Sequence, residues 1–158
     1  MSQPVTTLDA SRYEQVCLAD HVAALTPVEV REAMAFWVGR DRLDIAQVLV
    51  NEGLQQHPQS PDILAVGALL AEIQQDWDRA QACLQSLMDL QGPAATAESH
   101  LHLIRVMRCR AAYFSAWRQS LAATQLFPGH AGLQQEFDEL SELLADAPQA
   151  DQLPASTY

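Results

Sequence analysis

The chain has 158 residues, of which 49% are hydrophobic and 18% charged, and its formal net charge is −11. This length and apolar content suit one folded domain and exclude a disordered chain. All nine basic residues are arginine, and the excess of negative charge disfavours contact with nucleic acid or with an anionic membrane surface. We therefore expect neither a nucleic-acid partner nor a membrane partner.

The N-terminal sequence MSQPVTTLDASRYEQ lacks the basic and apolar segments of a secretory signal, and no apolar run reaches the length of a membrane span. Cys17, Cys83 and Cys109 are odd in number and widely spaced, which is typical of reduced thiols in a cytoplasm. We expect a cytoplasmic protein in which the three cysteines are small core residues.

Apolar residues recur every three or four positions along most of the chain, a pattern that predicts helices and leaves no stretch typical of a strand. The predicted helices cover about 9–24, 27–39, 43–55, 61–74, 77–90, 97–110, 113–126 and 131–145. Both chain ends, 1–7 and 147–158, are predicted to be disordered, so the predicted folded domain is 8–146.

Proline and capping residues mark the helix boundaries. Thr26 and Glu29 form a predicted capping box around Pro27. Pro58 ends one helix, because proline disfavours helix in the residue before it. Pro61 begins the next helix behind the predicted cap Ser60. Since the links are short, successive helices are expected to pack antiparallel.

The same residue types return at a fixed interval. Pro27 and Pro61 are 34 residues apart, as are Ala46 and Ala80. Ala116 follows Ala80 after 36 residues. Bulky residues recur at the same spacings, at Leu43, Trp77 and Tyr113.

A 34-residue period with two helices per repeat resembles the tetratricopeptide repeat family. The three alanines stand where the family has a small residue at the helix crossing. Met34 and Ile104 depart from the family pattern, which has a small residue there. The resemblance covers three repeats, about 27–60, 61–96 and 97–130.

The resemblance implies an all-α, right-handed α-solenoid of antiparallel helix pairs, capped by the first and last predicted helices. The last helix would pack through one face and present a second face to water. The packed face carries Leu133, Phe137, Leu140 and Leu144, and the water-facing side carries Glu136, Asp138, Glu139 and Glu142. A plain antiparallel helical bundle is the alternative fold.

In this family the first helix of each repeat lines a concave groove. The corresponding residues here are Arg31, Ala35, Val38, Ala65, Leu69, Glu72, Leu101, Arg105 and Arg108. Such a groove suits a peptide or helix with apolar anchors and some acidic residues, because arginine grips carboxylates with two bonds. The alternative is that the arginines only balance nearby acids on a solvated surface.

Some family members clamp a C-terminal carboxylate, and the residues at those places here are Arg31, Ala35, Val66, Glu98 and His102. Only the arginine fits, so the resemblance does not imply a carboxylate clamp. Small acidic chaperones of bacterial type III secretion systems have a similar length, charge and repeat number, although no motif here is specific to them.

Catalytic and metal-binding patterns are weak. His100 and His102 are two residues apart, which places them on different faces of a helix. His102 and Cys109 could share a face, but no further ligand has suitable spacing. Asp76 and Asp78 stand at a helix start, where acids are common. We expect no enzyme activity, no metal and no cofactor.

The leading hypothesis is a non-enzymatic scaffold or chaperone that binds a protein or peptide partner in the groove. The alternative is a homo-oligomeric assembly protein, such as a homodimer. Its groove, its last helix through Leu140 and Leu144, or its first helix through Val16 and Leu18 would mediate self-association.

Overall fold

A computed structural model describes residues 25–146, in which seven α-helices and one short 3₁₀ helix occur and no strand. The α-helices are α1 (Pro27–Val38), α2 (Leu43–Gln56), α3 (Pro61–Ile73), α4 (Trp77–Gln91), α5 (Ala97–Cys109), α6 (Tyr113–Leu126) and α7 (Ala131–Ala145). Seven predicted helices are thus confirmed, each boundary within about one residue. The predicted helix at 9–24 and the predicted disordered ends lie outside the described residues.

Side-chain caps begin α1, α3, α5 and α7 in the same way. Thr26 accepts a hydrogen bond from the Glu29 amide, and Glu29 Oε2 accepts one from the Thr26 amide, which confirms the capping box. The corresponding caps of the other three helices each accept a hydrogen bond from the amide three residues ahead, and they are Ser60, Thr96 and His130. These first helices therefore start at equivalent points of the repeat.

The turn after each first helix also repeats. Asp41, Gln75 and Ala111 have φ of 58°, 58° and 60°. The next amide in each turn donates to a carbonyl five residues back, as Ala112 N does to Met107 O at 2.9 Å. This is the left-handed ending that closes a helix and satisfies its last carbonyls. The same backbone conformation thus recurs at the interval of the sequence repeat.

The described residues fall into two compact units that divide between Ala94 and Ala95. The N-terminal unit contains α1 to α4, and the C-terminal unit contains α5 to α7. This boundary lies within about two residues of the predicted start of the third repeat. The prediction of one domain over 8–146 stays a prediction.

In the N-terminal unit, α1 packs on α2 and α3, and α3 packs on α2 and α4. Ala46 and Ala80 are fully buried, as expected for small residues at helix crossings. Gly53 has the same role, because a Cβ there would lie 2.9 Å from Val30 Cγ1. The helices approach closely where the sequence supplies little side-chain volume.

In the C-terminal unit, α5 packs on α6 and α7, and α6 packs on α7. Ala116, Leu133 and Leu140 are fully buried, which confirms two members of the predicted apolar face of the last helix, whereas Phe137 and Leu144 are only partly buried. Glu136 was expected in water, and that expectation is wrong. It is 6% exposed because α7 turns this carboxylate towards α5, where two arginines meet it.

Nothing in the described part of the chain forms a helix long and apolar enough to cross a lipid bilayer.

Candidate functional site

The α3 helix carries an uncovered apolar stripe. Ala65, Leu69 and Ile73 are spaced four apart on this helix and are all exposed, Leu69 by 52% and Ile73 by 46%. Most other residues of the helix are buried, namely Ile63, Leu64, Val66, Gly67, Ala68, Leu70 and Ala71. We call Ala65, Leu69 and Ile73 the α3 stripe. Ala65 and Leu69 were predicted from the sequence and Ile73 was not, although the four-residue spacing could have indicated it.

Helix α1 places its predicted groove residues beside this surface in the same unit. Arg31 and Ala35 are exposed, whereas Val38 is partly buried against the core. Arg31 Nη1 donates to Asp62 Oδ1 of α3 at 2.9 Å. Both side chains are more than two-fifths exposed, so the pair adds little stability and can open for a ligand. Glu72, predicted for the groove, is partly buried.

The predicted residues of the C-terminal unit have a different environment. Leu101 is 6% exposed and lies against α7, where its Cδ2 is 3.1 Å from the place that a Gly132 Cβ would take. Arg105 and Arg108 both bind the buried Glu136, and Arg108 also binds Glu139 at 2.8 Å. The two arginines therefore already have carboxylate partners within the unit.

The contacts of this network favour the charged forms of Arg108 and Glu139. Hydrogen bonding to Glu136, and then to Glu139, raises the pKa of Arg108 above its ordinary value. Hydrogen bonds from Gln135 and Arg108 lower the pKa of Glu139. Each ionised form is favoured because the opposite charge or a donor stands beside it. The arginines balance nearby acids here, as the alternative interpretation of the sequence allowed.

A second apolar surface lies on the C-terminal unit and was not predicted from the sequence. Phe114, Trp117, Ser141, Leu144 and Ala145 line an open cavity of about 480 Å³ between α6 and α7. Phe114 is 62% exposed and stacks on Trp117 with ring centroids 6.0 Å apart. Trp117 Nε1 donates to Ser141 Oγ at 2.9 Å. We call these five residues the aromatic face. Phe114 and Trp117, three apart on a helix, were its signal in the sequence.

Two of the residues considered for catalysis, His100 and Asp76, have structural contacts. His100 is buried, and burial lowers its pKa. Its Nδ1 lies 3.1 Å from Gln119 Nε2, whereas His102 is exposed on another face of α5. Asp76 caps α4 by accepting from the Arg79 amide, which confirms the capping interpretation.

The cysteines differ from the expectation that all three fill the core. Cys83 is buried, and burial raises its pKa, which suits a core residue. Cys109 is exposed, so the expectation is wrong there, and Cys17 lies outside the described residues. Within 25–146, no three His, Cys, Asp or Glu side chains are grouped closely enough to hold a metal ion.

Comparison with known proteins identifies the fold. Neither known family models nor curated proteins give a match. Among solved structures, the first TPR of Spaghetti (RPAP3), bound to the HSP90 peptide SRMEEVD, is 13% identical with a TM-score of 0.59, over 75% of this chain and 93% of that chain.

Two further structures agree. The second TPR domain of human RPAP3, in complex with the HSP70 peptide SGPTIEEVD, is 11% identical with a TM-score of 0.58. It matches over 78% of this chain and 98% of its own. A structure of MamA is 17% identical with a TM-score of 0.65, over 86% of this chain and 75% of that one. The described chain therefore has a tetratricopeptide repeat fold, as its 34-residue period predicted.

Proposed function

We propose that this chain, which has the fold of tetratricopeptide repeat domains, is a protein-interaction scaffold that binds an apolar peptide segment on the α3 stripe. The observation that carries the proposal is the exposure of Leu69 and Ile73 on a helix whose other faces are buried. Exposed apolar residues that lie together on one helix face favour a binding surface. The proposed role needs no catalysis.

The charge around the α3 stripe indicates which kind of peptide segment fits it. Residues 25–94 contain four arginines and ten carboxylates, and Arg31 beside the stripe already binds Asp62. A segment with apolar anchors and neutral or basic flanks therefore fits better than an acidic one. This differs from the acidic ligand that the predicted groove arginines suggested.

Two solved structures of the same fold support peptide binding as a role, since those domains are bound to HSP90 and HSP70 peptides. The peptides themselves do not transfer, because the carboxylate-clamp positions here hold Ala35, Val66 and Glu98. A chaperone that shields an apolar segment of its client is the finer form of the proposal. The resemblance of length and charge to small secretion chaperones supports that form.

The proposal is tested with short peptides selected from a random library on the full chain. We expect selected peptides to carry apolar anchors and Leu69→Asp to weaken their binding at least about tenfold, because a carboxylate replaces the central contact. Isothermal titration calorimetry measures the dissociation constant.

Val48→Asp is the matched control. Val48 is 46% exposed and lies on the second helix α2, so it carries the same new charge at a similar exposure away from the stripe. Binding to this variant should stay within about twofold of the unchanged chain. Peptides that bind Leu69→Asp as tightly as the unchanged chain contradict the proposal.

A further inference from the structure

Helix α7 stands in the place of a first helix. Its cap, His130, follows the cap of α5, Thr96, by 34 residues, as Ser60 follows Thr26. Arg105 of α5 pairs with Glu136 of α7, 31 residues ahead, and Arg31 of α1 pairs with Asp62 of α3 at the same separation. Within its unit, α7 therefore packs against α5 as α3 packs against α1.

Each earlier first helix has a second helix packed on it, since α1 contacts α2, α3 contacts α4 and α5 contacts α6. No helix follows α7 in the described part of the chain. Within residues 25–146, α7 is therefore the first helix that has no second helix packed on it.

The aromatic face lies at the position where the earlier first helices have a second helix packed on them. Gly67 of α3, seven residues after its cap, lies between α2 and α4, because a Cβ there would be 3.3 Å from Val50 Cγ1 and 3.4 Å from Cys83 Sγ. Phe137 of α7, also seven residues after its cap, stacks on Trp117 with centroids 6.2 Å apart. Phe137 is only partly buried, whereas Gly67 is buried between its two neighbouring helices.

One turn further along α3 and α7, equivalent positions again differ in burial. Ala71 of α3 is fully buried, eleven residues after the cap Ser60. Ser141 occupies this position in α7, yet it is only partly buried and lines the cavity. The shape of the face therefore calls for a helix, held by aromatic and aliphatic side chains.

The charges beside the face are complementary to one another. Arg118 lines the adjoining cavity on α6, which shares Phe114 and Trp117. Two exposed carboxylates follow lining residues of the face in sequence, Glu142 after Ser141 on α7 and Asp146 after Ala145 at the end of α7. Arg118, Glu142 and Asp146 make no ion pair among residues 25–146. The surface thus has a positive α6 side, an apolar centre and a negative α7 side.

We propose that a second copy of this chain occupies the aromatic face, with α7 of each copy packed on the other at the position where the earlier first helices have a second helix. A twofold axis brings the α6 side of one copy against the α7 side of its partner, so unpaired charges of opposite sign meet around a shared apolar centre. Residues 95–146 contain four arginines and six carboxylates, so repulsion between two such units is small. This surface lies outside the α3 stripe and adds to the proposed function.

Sedimentation equilibrium of the full chain, from about 1 to 100 µM, tests the proposal. We expect a species of twice the chain mass of 17.4 kDa. Phe114→Asp should raise its dissociation constant at least about thirtyfold, because a central aromatic contact is lost. A monomer throughout the concentration range overturns the proposal.

Leu126→Asp is the control. Leu126 is 63% exposed on the same helix and lines neither cavity, so this variant should dimerise as the unchanged chain does. If both aspartate variants dissociate equally, the aromatic face is not the interface.

A charge reversal tests the twofold arrangement. Arg118→Glu should weaken the dimer about tenfold, and the same chain with Glu142→Arg and Asp146→Arg added should recover most of the loss. A combined variant that stays as weak as Arg118→Glu overturns the pairing of α6 with α7 across the axis. The α3 stripe is tested separately, by comparing peptide binding of the unchanged chain with that of Leu69→Asp, so either proposal can fail without the other.

Discussion

Glu136 is the described carboxylate with the least exposure, 6%, and it is bound by Arg105 and Arg108 of the neighbouring helix. Helical spacing alone places it with Asp138 and Glu139 on the polar side of α7. Its burial follows from the arginines 31 and 28 residues earlier in the chain, which become its neighbours only when α5 and α7 pack. The sequence supplied the charges but not their pairing.

Glu136→Gln should lower the free energy of unfolding by about 1–2 kcal/mol, because a neutral amide cannot hold two guanidinium groups. Glu139→Gln is the matched control: its side chain is 44% exposed and binds one of the same arginines. We expect a clearly smaller loss there, because solvent screens this exposed pair. Urea denaturation measures both, and equal losses would contradict the burial of Glu136.

His100 should make stability fall as the pH drops. Burial lowers its pKa in the folded chain below the ordinary 6.5, so the unfolded chain binds more protons just below that value. Stability is therefore full above about pH 6.5 and declines as the pH falls towards the folded pKa. His100→Leu should reduce the change in melting temperature between about pH 7.5 and 5.5. An unchanged pH dependence in the variant would argue against a neutral buried His100.

The helices themselves were predictable because their signals are local. Thr26, Ser60 and Thr96 cap helices within three residues, and Pro61 begins one. The 3₁₀ helix at Gly92–Ala94 was not predicted, since it depends on the positive φ of Gly92 at the end of α4. A single glycine in a sequence does not indicate which conformation it takes.

The left-handed conformation of the turns after the first helices can be tested by glycine substitution. Ala111 has φ of +60°, a conformation that favours glycine, so Ala111→Gly should stabilise the chain by about 0.5–1 kcal/mol. Ala122→Gly, at an exposed position inside α6, should destabilise it by about 1 kcal/mol. Thermal unfolding compares them. Two shifts in the same direction would contradict the left-handed turn.

At the scale of the molecule, the period of 34 residues was enough to predict the tetratricopeptide repeat fold, because caps, small residues and turns all recur with it. The exposure of the groove residues was not predictable. Ala65 and Leu101 have the same place in their repeats, five residues after the caps Ser60 and Thr96, yet Ala65 is exposed and Leu101 is only 6% exposed. The difference arises from α7, which covers Leu101, and such coverage depends on tertiary packing.

The binding of a peptide by the α3 stripe is tested most directly by methyl NMR of the full chain labelled at isoleucine, leucine and valine, titrated with a library-selected peptide. We predict that the Leu69 and Ile73 methyl resonances shift with the peptide, while those of Val48 on α2 stay in place. Shifts at Val48, with Leu69 and Ile73 unchanged, would contradict the proposed binding surface.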